Sequence, residues 1–126
     1  MIELFASDTP NGKKISIMLE EIEFPYKVTA VDLGKGDQFD PKFTEISPFS
    51  KIPVIKDDKE SVFGSGAILI YLAEKSKKFY DLKNKINIDQ WLMAQMGLVG
   101  PMIGQYHSFY KFCLLYTSPS PRDIGE

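Results

Sequence analysis

The chain has 126 residues and a mass of 14.3 kDa, which is enough for one domain or for one domain and part of a second. Its 44% hydrophobic and 25% charged residues are typical of a soluble globular protein. A formal net charge of −2 gives no electrostatic reason to expect nucleic acid or an acidic membrane as a partner.

The single cysteine, Cys113, excludes an internal disulfide and a C-x-x-C redox pair. His107 is the only other soft ligand, so no zinc site and no metal cofactor are predicted. The sequence starts with a strand pattern rather than a leader peptide, and no apolar run has the length of a membrane span. Together these features predict a cytoplasmic protein in a reducing environment.

Residues 2–31 predict a compact βαβ unit. Ile2–Phe5 is a short apolar stretch typical of a buried first strand. After turn-forming residues, apolar side chains recur at the i, i+3, i+4, i+7 spacing of a helix with one buried face: Ile15, Met18, Leu19 and Ile22. Pro25 ends this helix, and Tyr26–Val31 predicts a second strand parallel to the first.

Residues 32–63 predict a turn, a short helix and a hairpin. The polar residues 32–36 form the turn, and a short helix is predicted within residues 39–46. Three side chains of this helix are expected to face inward: Phe39, Phe43 and Ile46. Residues 53–56 and 61–63 predict two antiparallel strands, because the connection between them is short and charged.

Ser65 is predicted to cap a helix that runs to about Ser76 and is apolar on nearly every side. The order of elements over residues 1–80 is therefore β-α-β-α-β-β-α. This order predicts an α/β fold, in which a thioredoxin-like sheet is covered by helices.

The sequence changes character at Lys85. Apolar positions predict one long helix over residues 85–112, with a kink near Pro101. We interpret this helix as the start of an all-α C-terminal domain that is truncated. Residues 113–126 show neither a helical period nor a loop pattern, and we interpret them as a non-native tail.

Five segments, taken in order and at their spacing, resemble the cytosolic glutathione S-transferases, specifically the nu-class branch of glutathione-dependent disulfide reductases. They are TPNGKKIS from Thr9, VDLGKGDQF from Val31, ISPFSKIP from Ile46, SGAILIYLAEK from Ser65 and QWLMAQMGLVGPMIGQ from Gln90. The resemblance implies an enzyme that stabilises the glutathione thiolate for disulfide reduction or for conjugation to electrophiles. It also implies a homodimer of the full-length protein, and a glutathione site that needs no metal.

A binder of glutathione has to satisfy the peptide backbone of the ligand, hold its two carboxylates and control its thiol. The resemblance implies a cis peptide bond at Ile52-Pro53, with the backbone of Ile52 pairing with the ligand as an added strand would. Taken alone, the same two residues favour an ordinary trans X-Pro turn that opens a strand, because only about 5–6% of X-Pro bonds in folded proteins are cis.

Ser65 and the helix that it begins are expected to hold the γ-glutamyl carboxylate. The resemblance implies an acidic residue just before this serine, to pair with the ligand's amine, but the chain has Gly64. We therefore expect weaker glutathione binding than in relatives. Gln38 and Lys51 are candidates for the glycyl end, Gln38 by hydrogen bonding and Lys51 by charge.

Thr9 and Asn11 lie where the first strand meets the first helix, and the resemblance makes them the candidate catalytic residues. A free thiol has a pKa of about 8.5, so hydrogen bonds and a helix N-terminus that favour the anion would activate it. The residues alone are also explained by turn and capping chemistry, and Ser7 remains a rival. The alternative function is a non-catalytic interaction module of a regulatory or translation-related protein.

Overall fold

The computed structural model describes residues 1–112, so the predicted non-native tail at 113–126 lies outside the described residues. The chain forms two compact units, the first spanning Met1–Lys85 and the second beginning at Ile86. The regular elements of the first unit are β1 (Ile2–Ala6), α1 (Pro10–Ile22), β2 (Tyr26–Ala30), α2 (Pro41–Thr44), β3 (Val54–Asp57), β4 (Glu60–Phe63) and α3 (Ser65–Ser76). This is the predicted β-α-β-α-β-β-α order.

The four strands form one mixed sheet in the order β2-β1-β3-β4. β1 pairs in parallel with β2, while β3 pairs antiparallel with both β1 and β4. The parallel βαβ unit, the final hairpin and the thioredoxin-like α/β fold are thereby confirmed. The connection between β3 and β4 is tighter than expected, with only Asp58 and Lys59 between the strands.

One face of the sheet holds the main core, which is shared with α1 and α3. Strand residues alternate, so that every second side chain of β1 points to this face. The buried members of the core are Ile2, Leu4, Ala6, Ile15, Leu19, Ile22, Ile55, Ile68 and Leu72. The periodic residues that predicted the first helix are therefore the ones that attach it to the sheet.

The opposite face holds a smaller core around the single turn of α2. Phe43 packs there with Val31 and Val54, while Ile46 is partly buried against them. The inward orientation expected for Phe39 is wrong, because this side chain is 68% exposed. Asp40 caps α2, so Phe39 belongs to a separate 3₁₀ turn that precedes the helix.

The remaining helices are α4 (Lys85–Ala94), whose first residue is the last of the first unit, and α5 (Gly100–His107); each is followed by a π-helical segment. The first π-helical segment, Gln95–Val99, ends where the Gly100 amide donates to the Gln95 carbonyl, directly before Pro101. The helical path thus widens at the predicted kink, where proline cannot donate a backbone hydrogen bond. Within residues 1–112, every helix falls short of the length or hydropathy that a membrane-spanning segment requires.

Candidate functional site

The seven predicted site residues all lie in the first unit, and all are at or beyond the ends of regular elements. Thr9 is the N-cap of α1 and Asn11 is its second residue, Gln38 is in the 3₁₀ turn Asp37–Phe39, and Ser65 is the first residue of α3. The remaining three residues precede β3: Lys51, Ile52 and Pro53.

The register of the sheet brings three of these segments to the same end of the fold. Phe5, near the carboxyl end of β1, pairs with Val54 at the start of β3, and Val54 pairs with Phe63 at the end of β4. The chain leaves β1 towards Thr9, enters β3 from Pro53 and leaves β4 towards Ser65. Three predicted segments therefore lie at the same end of the sheet: the one expected to control the sulfur, the one expected to pair with the ligand backbone and the one expected to bind a carboxylate.

Thr9 is the N-cap of α1, and its hydroxyl oxygen accepts a hydrogen bond of 3.2 Å from the Gly12 amide. Because a hydroxyl can also donate, this contact leaves the proton of Thr9 for another acceptor. The turn requires glycine at position 12, since a Cβ there would lie 2.8 Å from the Ser7 carbonyl oxygen. Capping and a contact with a ligand are compatible at Thr9.

Asn11 is exposed on the first turn of α1, and its Oδ1 atom accepts a hydrogen bond of 2.9 Å from Lys14 Nζ. The rival, Ser7, has a different environment. Its hydroxyl oxygen is buried and has no hydrogen-bond partner among the described residues. Exposure therefore favours Asn11 over Ser7 as a group that reaches a ligand.

The loop before β3 is fixed by Ser47, a residue that the sequence reasoning did not single out. Its buried hydroxyl accepts from the Lys51 amide at 3.0 Å and donates to the Lys51 carbonyl at 2.6 Å. The side chain of Lys51 is exposed, and Ile52 lies outside the paired register of β3. The Ile52-Pro53 peptide bond is cis, as the resemblance implied.

The N-cap of helix α3 lies one residue earlier than expected. Gly64, not Ser65, is the N-cap, and it supplies no side-chain capping bond. Its φ of +88° lies in the region that favours glycine, and a Cβ at this position would meet nothing within 4 Å. Ser65 is nearly buried as the first helical residue. The space beside it, where a charged side chain was expected, is open.

Gln38 and a neighbouring cleft complete the description of the site region. The Oε1 atom of Gln38 is buried and without a hydrogen-bond partner among residues 1–112. A cleft of about 670 Å³ opens on the α2 side of the sheet, against Phe5 and Phe43, but none of the seven predicted residues lines it. In the described part of the chain, no cluster of three or more His, Cys, Asp or Glu residues could hold a metal ion.

Comparison with known proteins identifies the family of the chain. The family described as glutathione S-transferase, N-terminal domain, matches residues 2–74. The chain therefore belongs to the glutathione S-transferase family.

Among curated proteins, the chain is 48% identical over 118 residues to the disulfide-bond oxidoreductase YfcG of Escherichia coli K12, covering 86% of this chain and 55% of that protein. A glutathione transferase family member from Pseudomonas fluorescens, solved with two glutathione molecules bound, is 42% identical with a TM-score of 0.89. A glutathione transferase from Pseudomonas putida, solved with glutathione disulfide bound, is 39% identical with a TM-score of 0.89. The alignments cover 98% of this chain but only 58% and 57% of those structures, so the chain spans little more than half the length of these relatives.

Proposed function

We propose that this chain forms the glutathione-binding part of an enzyme that uses the glutathione thiolate to reduce disulfides or to attack electrophiles. The observation that carries the proposal is the paired row Phe5, Val54 and Phe63, which brings the segments at Thr9, Ile52-Pro53 and Ser65 to one edge. Relatives that share the fold are solved with glutathione or glutathione disulfide bound.

Each part of the tripeptide has a candidate partner. The backbone of Ile52, which lies just before β3 and outside its paired register, pairs with the cysteinyl unit of the ligand as an added strand would. The amides at the start of α3 have no acceptors within the helix, so together with Ser65 they bind the γ-glutamyl carboxylate. The exposed ammonium of Lys51 and the amide of Gln38 bind the glycyl carboxylate.

The chemistry is carried by the sulfur of the ligand. The hydroxyl of Thr9 donates to this sulfur, and the N-terminus of α1 adds a positive potential, so the thiol loses its proton more readily. The thiolate attacks one sulfur of a disulfide, forms a mixed disulfide and releases the other sulfur as a thiolate. A second glutathione thiolate then attacks the mixed disulfide, yielding glutathione disulfide and the second reduced thiol.

Two measurements test this proposal on the 126-residue chain. Calorimetric titration is expected to show glutathione binding, and Ser65→Ala is expected to weaken it by about tenfold, as the loss of a hydrogen bond to a charged group predicts. Ser61→Ala, an exposed serine on β4, is the matched control. The absence of binding to the unaltered chain, or an equal effect of the two variants, would contradict the proposed site.

Gly64 specifically favours a second candidate, a non-catalytic module, because the open space beside Ser65 supplies no charge to the ligand. Reduction of hydroxyethyl disulfide by glutathione separates the two functions. Turnover that is lost in Thr9→Val supports the enzyme, whereas glutathione binding without turnover in the full-length protein supports the module.

We propose a homodimer and a cytoplasmic location for the whole protein. Phe49 and Phe63 form an exposed aromatic pair with ring centroids 6.0 Å apart, beside the segments of the site. Such a pair suits a subunit contact, since aromatic residues are enriched at interfaces. Sedimentation of the full-length protein is expected to give the mass of two subunits, and a monomer at all concentrations would refute this assignment.

A further inference from the structure

Two adjacent lysines at the start of α1 have different partners. Lys13 forms an ion pair of 3.1 Å with Asp8, and both side chains are largely exposed. Lys14 is half-buried, and its ammonium donates to the amide oxygen of Asn11 at 2.9 Å. Within residues 1–112, no carboxylate is paired with Lys14. The charge of Lys13 is thus balanced locally, whereas the charge of Lys14 is not.

The contact of Lys14 determines which way the Asn11 amide points. An ammonium group can only donate, so the atom that faces it must be the carbonyl oxygen of the amide. The NH₂ group of Asn11 then faces away from Lys14 and is available to donate to another acceptor. Lys14 therefore selects one of the two orientations that a terminal amide can adopt.

Lys14 is the fifth residue of α1, one turn in from the N-terminus of the helix. The first turn of α1 contains no acidic residue that would offset its charge. The side chain of a helical residue leans towards the N-terminus, which brings this charge back over Asn11. The arrangement concentrates positive potential at the turn that also contains Thr9.

We propose that Lys14 is a positioning residue for the bound sulfur. It orients the Asn11 NH₂ group towards the thiolate, and its ammonium lowers the thiol pKa through the local potential. This assignment rests on the proposed function, because the sulfur belongs to bound glutathione. It adds a charged residue to a site whose candidate catalytic groups, Thr9 and Asn11, are both neutral.

Three substitutions separate orientation from charge. Lys14→Met removes both, Lys14→Gln keeps a donor but no charge, and Lys14→Arg keeps both. Lys59→Met is the matched control, because Lys59 lies in the β3–β4 turn at the opposite end of the sheet and its loss changes the net charge equally. The thiol pKa of bound glutathione is read from the ultraviolet absorbance of the thiolate as a function of pH, with glutathione saturating each variant.

We expect Lys14→Met to raise the thiol pKa by about 0.5 to 1 unit at low salt, and by less at high salt, where charge is screened. Lys14→Gln is expected to fall between Lys14→Met and the unaltered chain, and Lys14→Arg to match the unaltered chain. Equal pKa values for Lys14→Met and Lys59→Met would overturn the assignment.

A second readout needs no glutathione. Nuclear Overhauser contacts of the Asn11 side-chain NH₂ protons are expected to report one amide orientation in the unaltered chain and averaging in Lys14→Met, with the single orientation restored in Lys14→Arg. Unchanged contacts in Lys14→Met would refute the orienting role. Failure of the unaltered chain to bind glutathione would instead refute the proposed function, so the two failures are distinguishable.

Discussion

The hydroxyl of Tyr71 donates a hydrogen bond of 2.7 Å to Asp57 Oδ2, and this contact joins helix α3 to the end of strand β3. Lys75, one helical turn later, pairs with the same carboxylate oxygen. Asp57 is only 9% exposed. Its hydrogen bonds from Lys75 and Tyr71 hold its pKa below the usual value, since both favour the ionised form.

The lowered pKa of Asp57 predicts a loss of stability in acid. A carboxyl group whose folded pKa is depressed contributes stability above its unfolded pKa, about 3.9, and loses it as the pH falls through the lower folded value. Asp57→Asn is expected to reduce the free energy of unfolding by about 1–3 kcal/mol at neutral pH and to flatten the acid dependence. Urea unfolding at several pH values measures both. Asp58→Asn, in the adjacent turn, should behave like the unaltered chain, and a comparable loss there would contradict the prediction.

Tyr71 predicts a change at the other end of the pH scale. Its hydrogen bond to Asp57, together with burial, raises the pKa of Tyr71 to about 12. The stability contributed by its neutral form is present below the unfolded pKa of about 10 and is lost as the pH rises through the folded value. A difference titration between the unaltered chain and Tyr71→Phe is expected to isolate one late-titrating tyrosine. An ordinary tyrosine pKa in that difference would show that the contact does not persist in solution.

Ser47 predicts a coupling between stability and ligand binding. Ser47→Ala removes both hydrogen bonds to the Lys51 backbone. The amide and carbonyl of Lys51 are then left without these partners. We expect a loss of about 1–3 kcal/mol in the free energy of unfolding and weaker glutathione binding, because Ile52 follows directly. Chemical unfolding and calorimetry measure the two effects. Ser61→Ala is the control, and normal glutathione binding by a folded Ser47→Ala chain would exclude the coupling.

Thr9 predicts that capping and sulfur chemistry can be separated. Thr9→Asp keeps an oxygen that accepts from the Gly12 amide but loses the hydroxyl donor, whereas Thr9→Ser keeps both. Thr9→Asp is therefore expected to unfold like the unaltered chain but to raise the pKa of the bound thiol, since a carboxylate disfavours a nearby thiolate. Thr9→Val should lose about 1 kcal/mol through the missing cap. A thiol pKa that is identical in Thr9→Ser and Thr9→Asp would remove Thr9 from the sulfur site.

At position 64, a side chain is expected to lower stability through backbone strain, and an acidic one is expected to strengthen binding of the ligand's ammonium group. With φ at +88°, Gly64→Ala and Gly64→Glu are each expected to cost about 1–3 kcal/mol of stability, although there is space for a side chain. Only the glutamate variant supplies a charge for the ammonium of glutathione. It should therefore bind glutathione more tightly than Gly64→Ala, most clearly at low salt. Equal dissociation constants for the two variants would show that position 64 does not contact the ligand amine.

The sequence predicts local structure well where one element buries one face. The spacing of Ile15, Leu19 and Ile22 specifies the helix because those residues form the contact with the sheet. Phe39 shows the limit, since its apolar character suggests burial while the capping of α2 by Asp40 leaves it outside the helix. A preference for burial cannot be satisfied when a stronger local hydrogen bond sets the element boundary.

The candidate site divides in the same way. Its seven residues were identified through a resemblance, and the cis state of Ile52-Pro53 came from that resemblance rather than from the two residues themselves. The role of Ser47 could not be predicted from the sequence, because it is a contact with the Lys51 backbone four residues later, which many serines could make. The contact between Asp57 and Tyr71 depends on the packing of α3 against β3, and no short pattern in the sequence encodes it.

The two ends of helix α3 make different contacts. Ser65 begins the helix at the end of the sheet proposed for the ligand, whereas Tyr71 and Lys75 in the second half bind Asp57 at the other end of β3. Substitutions that retune ligand preference can therefore accumulate in the first turn while the anchorage of the helix stays intact. The ligand preference of the protein can therefore change while the contacts that hold α3 in the fold are kept. The first turn of α3 is the place to begin a directed-evolution library.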